Sequence, residues 1–343
     1  MRSIKRVAAA KSLAIFCICC ATVVLIAHCN SKKIPTAQSP AAELKKYAYT
    51  QPHLGTTVQL VFYSDNDELA ASLSQQCFQH IRELNDIFSD YIDDSELNQL
   101  CNKPLNQAHK VSEPLFTVIN QAQEISAKSN GAFDITIGTQ TKRWRQRQAE
   151  IEPPLSPSSH VSYRDLKLDP LQQSITLLAP LQLDLGGIAK GYIADQLMRR
   201  IKAAGLSHAA VIIGGETVLA AAPPGKDGWR IGLEDPERKI IGTLSLENTC
   251  LSTSGDSYQF IEQDGQRQAH LIDPTTRKPM SNRLNVTTIA PSAMEADAWA
   301  TALRILPLEK SLALAKQQPH LQALFMPYQQ PPSKTDHFPT IKH

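Results

Sequence analysis

Asp297 and Thr301 are the pair whose types and spacing most directly suggest chemistry. Four residues apart on a helix, their side-chain oxygens share one face. A carboxylate and a hydroxyl on the first turns of a helix can hold a hard cation. Mg²⁺ takes oxygen ligands in octahedral geometry, often from one or two carboxylates with phosphate oxygens completing the shell. The same pair also suits a surface helix whose Asp offsets the N-terminal dipole, and spacing alone does not separate the two readings.

Four further segments carry chemical potential. Asp184-Leu185-Gly186-Gly187-Ile188-Ala189-Lys190-Gly191 reads as the end of a strand-like stretch, Leu181 to Leu185, running through glycines into a helix. Glycines let backbone approach a ligand closely, and a helix N-terminus offers free N–H groups to phosphate. Lys190 in the first helical turn can reach such a phosphate; a plain tight turn with a solvated lysine remains the alternative. Gly131-Ala132-Phe133-Asp134 sets an aromatic ring beside a carboxylate, which suits a ring system or an ordinary core turn. Ser252-Thr253-Ser254-Gly255-Asp256 can donate hydroxyl and backbone N–H groups to an anion, or simply turn. In His270-Leu271-Ile272-Asp273-Pro274, strand alternation would put His270 and Ile272 on one face, and histidine is the usual base near neutral pH. No segment decides the function singly. There is no nucleophile elbow, no H-E-x-x-H, no Walker or dinucleotide fingerprint, and no cysteine metal cluster.

The elements that must position these residues follow from periodicity. Val58, Leu60 and Phe62 alternate with polar residues, which predicts a strand with one buried face over Thr56 to Tyr63. Leu69, Leu73, Cys77, Ile81, Leu84 and Phe88 recur at helical spacing, so a helix runs from about Asp67 to Phe88. Ser112 caps a second helix that Asn130-Gly131 stops, and a third starts near Ile188 and ends at Gly205. Ala210 to Ile213 reads as a short buried strand ending in Gly214-Gly215. Asp264-Gly265 between two strand-like runs is a hairpin signal. Ser292 with Glu295 forms an S-x-x-E capping box that opens the helix carrying Asp297 and Thr301. Gln146 to Ser159 is polar and proline-rich, and reads as a surface loop at a lobe boundary. Helices and strands do not alternate strictly, which favours an α+β fold.

Composition bounds the remaining possibilities. Charges nearly cancel at +2 and no basic stripe appears, so nucleic acid is set aside as a partner. Arg2, Lys5, Arg6 and Lys11 precede an apolar run, Ser12 to Ala27, of signal-peptide length. Cys29 after Leu25-Ile26-Ala27-His28 resembles a lipobox, with His28 where a small residue is usual; an uncleaved signal anchor is the alternative. The expected organisation is therefore a signal segment over 1–29, a tether over 30–47, one domain over 48–327, and a loosely ordered polar tail over 328–343. Cys77, Cys101 and Cys250 are left to the folded part, an odd number without C-x-x-C spacing, and read as small buried hydrophobes.

Taken together and in order, these motifs resemble the ApbE family of FAD:protein FMN transferases. The resemblance covers about Tyr49 to Leu306. It rests on Gly55-Thr56-Thr57, on Phe88-Ser89-Asp90-Tyr91 with Asp94-Ser95-Glu96-Leu97, and on Gly131 to Asp134. It continues through Asp184 to Gly191, Gly214-Gly215-Glu216, Ser252 to Asp256, His270 to Pro274, and Ala290-Pro291-Ser292 through Thr301. It implies a T-fold-like arrangement of mixed and antiparallel sheets packed with helices, a single catalytic domain of two lobes. It also implies a site. Leu54, Tyr91, Ala132, Phe133, Asp134, Asp184, Lys190 and Ile272 would bind FAD. Gly187, through its carbonyl, with Asp297 and Thr301 would hold Mg²⁺. His270 or Asp184 would assist proton transfer. The chain departs from the family pattern at Leu54, where Met is usual, at Gly186, where Ser is usual, and at Arg145 after Trp144, where Gly is usual.

The activity so implied is displacement of AMP from FAD by a hydroxyl of an acceptor protein, leaving FMN attached through a phosphoester to threonine or serine. Acceptors of the family are exported or membrane redox subunits, including those of sodium-pumping quinone reductases. A lipid-anchored protein on the periplasmic side of the inner membrane would sit beside them. An FAD pyrophosphatase, a non-catalytic flavin-binding lipoprotein and an assembly factor for a respiratory enzyme are the competing expectations.

Overall fold

The computed structural model describes residues 43–146, 161–255, 260–263 and 266–342. Its elements run β1 (Lys45–His53), β2 (Thr56–Ser64), α1 (Asp67–Phe88), α2 (Glu96–Cys101), β3 (Ala108–Lys110), α3 (Glu113–Lys128) and α4 (Gly138–Arg145). They continue with β4 (Leu166–Asp169), β5 (Ser174–Leu177), α5 (Ala189–Ala203), β6 (Ala209–Ile213), β7 (Glu216–Leu219), β8 (Trp229–Glu234) and β9 (Ile240–Leu246). The last are β10 (Thr249–Ser254), β11 (Phe260–Gln263), β12 (Gln266–Ala269), β13 (Leu284–Ala290), α6 (Ala293–Ile305), α7 (Leu308–Lys316), β14 (Gln322–Pro327) and β15 (Ser333–Lys334). An eight-stranded sheet has the order β1-β2-β6-β7-β10-β13-β14-β15, and every neighbouring pair in it is antiparallel. Strands β3, β5 and β4 form a separate small sheet, and residues 43–343 make one compact unit. The α+β reading holds.

Sequence-local signals account for the helices. Asn66 caps α1 by accepting from Leu69 N–H, and the buried face is Leu73, Cys77, Ile81, Leu84 and Phe88. Ser112 caps α3 in the same way, and Asn130 and Gly131 leave it with φ of 51° and 81°, as a left-handed stop requires. Ser292 accepts from Glu295 N–H at 3.1 Å and opens α6.

The sheet has core on both faces: in β2 the expected alternation holds through Gln59, with Thr57 and Gln59 exposed, and fails at Val61, which is buried on the second face. Val58, Leu60 and Phe62 join the core beneath α1, α3, α5 and α6. Val61, Ala210, Leu219, Leu251, Ile289 and Leu324 point the other way, onto Leu233 and Leu244 of the β8–β9 ribbon and onto Phe338. A strand covered on both faces loses its polar alternation, as the fully buried β13 shows.

Four other expectations change. Strand β1 begins at Lys45, inside the expected tether, and forms a hairpin with β2. The segment after Pro327 is not a loose tail. β15 pairs with the open edge of β14, Thr335 exchanges bonds with Ala323, and Lys342 pairs with Thr243. An unpaired strand edge and the apolar Phe338 pocket both draw it in. Leu181 to Leu185 is not a strand; it makes only an isolated bridge, Ile137 with Gln182. Strands β11 and β12 pair, although Asp264-Gly265 between them lie outside the described residues, and β12 ends at Ala269, so strand alternation does not reach His270 and Ile272.

Cys77, Cys101 and Cys250 are free thiols. Burial pushes the Cys77 thiol up to about 11 and Cys250 up to about 12. No described helix is long and apolar enough to cross a membrane. The signal segment, Cys29 and Asp256 lie outside the described residues.

Candidate active site

The site is built where α5 and α6 cross. Gly191 makes the crossing possible: a Cβ there would lie 2.2 Å from Ala293 O and 2.7 Å from Met294 Cα, both fixed backbone. Asp195, one turn further along α5, accepts from Ala293 and Met294 N–H at 3.0 Å each and caps α6 across the interface. The close approach brings Gly191 N–H to within 3.1 Å of Asp297 Oδ2. Asp297 is only 3% exposed on an alanine-rich helix that is buried nearly all round. Such a carboxylate needs partners to remain there.

Lys190 supplies the next one. Its Nζ lies 3.7 Å from Asp297 Oδ2, 3.4 Å from Glu216 Oε1 and 2.8 Å from Gly186 O, to which it donates. Glu216, at the start of β7, is also 3% exposed, and Ser252 donates to its Oε1 at 3.4 Å. Its Oε2 has no donor. Burial pushes Glu216 up to about 8 and raises Asp297 as well, with Lys190 opposing both. The two carboxyls interact directly, which requires a proton or a cation between them. Burial works against the Lys190 ammonium, but Asp297 and Glu216 outweigh it and hold its pKa above the ordinary lysine value.

Gly187 closes the floor. A Cβ there would sit 3.0 Å from Thr301 Oγ1 and 3.2 Å from the Phe133 ring, so backbone, hydroxyl and ring meet at one point. Asp184 folds the preceding turn by accepting from Gly186 N–H at 2.7 Å. On the outer side Arg145 ends α4. It is bonded to the partly buried Asp90, lies 4.0 Å from Asp184 Oδ2, and stacks 4.1 Å from the centre of the Tyr91 ring. Tyr91 is 73% exposed, a large ring left open beside a buried polar cluster. Burial, then the neighbouring Asp184, raises the Asp90 pKa, and Arg145 counters them.

The arrangement gathers glycine backbone, one ammonium, two buried carboxyls, a hydroxyl and two aromatic rings. The model of the ApbE family matches residues 54–325. The chain belongs to the ApbE family. A protein of Klebsiella pneumoniae (strain 342) named FAD:protein FMN transferase is 29% identical, over 82% of this chain and 89% of that one. One of the same name from Vibrio cholerae is 30% identical over 77% and 83%. Among solved structures, the flavin transferase ApbE of Vibrio cholerae superposes with a TM-score of 0.75 at 26% identity, covering 86% of this chain and 99% of that one. The apo flavinyl transferase ApbE of Pseudomonas stutzeri gives 0.75 at 28%, covering 85% and 95%.

Within this ApbE-family fold, the contacts join Asp184, Gly187, Lys190, Asp297, Thr301 and Phe133 into one site. Leu54 lies at the β1–β2 turn with φ of 54° and packs against the helical core. Thr56 of the same hairpin rests on Gly214, where a Cβ would be 2.9 Å from its Oγ1, just before Glu216. Asp134 is turned inward. One oxygen accepts from Thr136 N–H and Oγ1 at 2.8 Å each, the other from Tyr163 N–H at 2.9 Å. Ala132 and Ile272 are buried, and Ile272 bridges Pro279. His270 lies partly exposed in the bend after β12. Glu216, Asp90 and Arg145 carry no role that the sequence alone assigns, although the first two stand inside family motifs. The double glycine before Glu216 is the available signal: a Cβ on Gly215 would fall 2.5 Å from Thr253 O, which shows how tightly β7 and β10 close there.

Proposed function

We propose that the protein moves the FMN half of FAD onto a threonine or serine hydroxyl of an acceptor redox protein, with Mg²⁺ and with release of AMP. The observation that carries this reading is the Lys190–Glu216–Asp297 cluster beside the Gly186-Gly187 turn: a buried charged site in a chain matched by the ApbE model.

The residues fit a hard divalent ion. Every candidate donor is oxygen, and Glu216 Oε2 is a buried acceptor without a donor. Among the described residues no three His, Cys, Asp or Glu side chains are grouped to hold a metal alone. Mg²⁺ commonly needs no more than one or two carboxylates when phosphate is present. Asp297, Thr301 and the Gly187 carbonyl would hold it, and when bound it would neutralise the diphosphate.

The chain's own groups do the remainder. Gly186 and Gly187 admit the diphosphate to the backbone, and Lys190 adds positive charge beside it. Tyr91 offers an exposed ring face to the flavin or the adenine, and the buried Phe133 backs the Gly187 turn. Asp184 and Arg145 shape the outer wall. Asp134 fixes the loop that carries Phe133. His270, or Asp184 in its place, takes the acceptor hydroxyl proton, because a neutral hydroxyl attacks phosphorus weakly. Export and a lipid anchor at Cys29 would put the site on the periplasmic face of the inner membrane, where such acceptors stand.

Mixing the protein with FAD, Mg²⁺ and a candidate acceptor, followed by intact-mass measurement of the acceptor, tests the proposal. A gain equal to one FMN phosphoester is expected. Release of FMN and AMP with every acceptor unchanged would instead make the protein a pyrophosphatase.

A further inference from the structure

The proposed reaction needs a cation against the FAD diphosphate, yet Lys190 is turned onto protein oxygens. Its Nζ is 2.8 Å from Gly186 O, 3.4 Å from Glu216 Oε1 and 3.7 Å from Asp297 Oδ2. The ammonium donates to Gly186 O and is ion-paired with the two carboxyls. One of those oxygens belongs to the carboxylate assigned to the divalent ion. A second observation is independent of Lys190: Glu216 is 3% exposed, and its other oxygen, Oε2, has no donor. The cluster therefore holds more acceptor capacity than its single cation fills.

We propose that Lys190 keeps the divalent cation's place at Asp297, and that Glu216 is the positioning residue that retains the ammonium when the metal arrives. The inference rests on the flavin-transfer reading and deepens it. A metal ion and an ammonium cannot both lie against one carboxylate oxygen without strong repulsion. Without nucleotide, Lys190 and Mg²⁺ compete for Asp297. With FAD bound, the diphosphate offers the ammonium a new partner, so metal and nucleotide favour one another. Glu216 keeps Lys190 within reach of the site throughout. The same exchange explains how the pair persists in the core: with one proton on the two carboxyls, the ammonium balances the remaining charge until the metal does.

The test uses the purified protein and Lys190→Met, with MgCl₂ as the probe and no acceptor. Without metal, Lys190→Met should unfold at least ~5 °C below the wild type, because two buried carboxyls lose their cation. Millimolar Mg²⁺ should restore most of that loss while moving the wild type little. By titration calorimetry without nucleotide, the variant should bind Mg²⁺ about tenfold tighter than the wild type. Equal affinity within about twofold would overturn the inference. Wild-type crystals grown with Mg²⁺ and FAD provide a measurement that does not depend on the variant folding. Lys190 Nζ should then lie beyond about 4 Å from the Asp297 carboxylate, on Glu216 or the diphosphate. Nζ still on Asp297 beside a bound ion would overturn the inference. A wild type that binds neither Mg²⁺ nor FAD would remove the flavin-transfer reading too. Binding and transfer without any effect of Lys190→Met would remove this inference alone.

Discussion

Asp134 and the Asp297–Glu216 pair are buried to a similar degree, and burial raises the pKa of all three. They differ in how fully they are satisfied. Asp134 accepts from three donors on its own loop and on Tyr163, one oxygen taking two and the other one. Asp297 accepts from Gly191 N–H and Glu216 from Ser252, beyond which the two share one ammonium and Glu216 Oε2 has no donor. Both regions stand in motifs of the ApbE pattern and look alike in sequence. A buried carboxylate with every acceptor filled is a fastening, whereas one left short is a place for something to bind.

That contrast breaks most visibly with Asp297→Ala. FMN transfer should fall by about 10³-fold, read by acceptor mass over time, while urea unfolding changes less than for any Asp134 variant. Asp134→Ala should do the reverse. Orphaning three donors should cost ~3 kcal/mol in urea unfolding, with kcat of the folded enzyme within about threefold of wild type. A large loss of kcat with unchanged stability would return Asp134 to the FAD contacts. Tyr91→Ala sharpens the outer edge of the comparison. Loss of an exposed stacking ring should raise KM for FAD about tenfold and leave kcat nearly unchanged.

The smallest effect is on pH dependence. Glu216 is pushed up to about 8 in the fold, above its unfolded value. A carboxyl raised in this way stabilises the fold most below its unfolded pKa, and that contribution is lost as pH rises through the folded one. The wild type should therefore lose stability relative to Glu216→Gln between the ordinary glutamate range and about pH 8. A difference of about 2–4 °C in unfolding midpoint is expected, because burial favours the protonated Glu216 while Lys190 opposes it. Parallel pH profiles would show that Glu216 does not titrate in this range.

Much of the fold and of the site is legible in the order of the residues. Helices α1 and α3 announce themselves by apolar spacing, and α3 also by its cap at Ser112. Asp297, Thr301, Gly187 and Lys190 are legible because helical spacing and a glycine turn are local properties. Glu216 is legible only as the residue after the Gly214-Gly215 pair; its role is not, because its partners come from elsewhere in the chain. Its environment is made by α5 and α6, which reach it from distant segments. Strand β1 escapes a reading by periodicity because its alternation is nearly all exposed and it contains Pro52. The segment after Pro327 looks loose because its partners, the β14 edge and Thr243, exist only once the sheet has formed. His270 shares a face with Ile272 only if β12 continues, and the strand stops one residue short of it.

The central claim is that the short-supplied carboxyls mark a cation site serving FAD. Anomalous scattering from a crystal grown with FAD and Mn²⁺ in place of Mg²⁺ tests it most directly. One strong peak is expected, bounded by the Asp297 carboxylate, Thr301 Oγ1 and the Gly187 carbonyl, next to the diphosphate. A bound FAD with no peak there, or with the metal held by other residues, would contradict it.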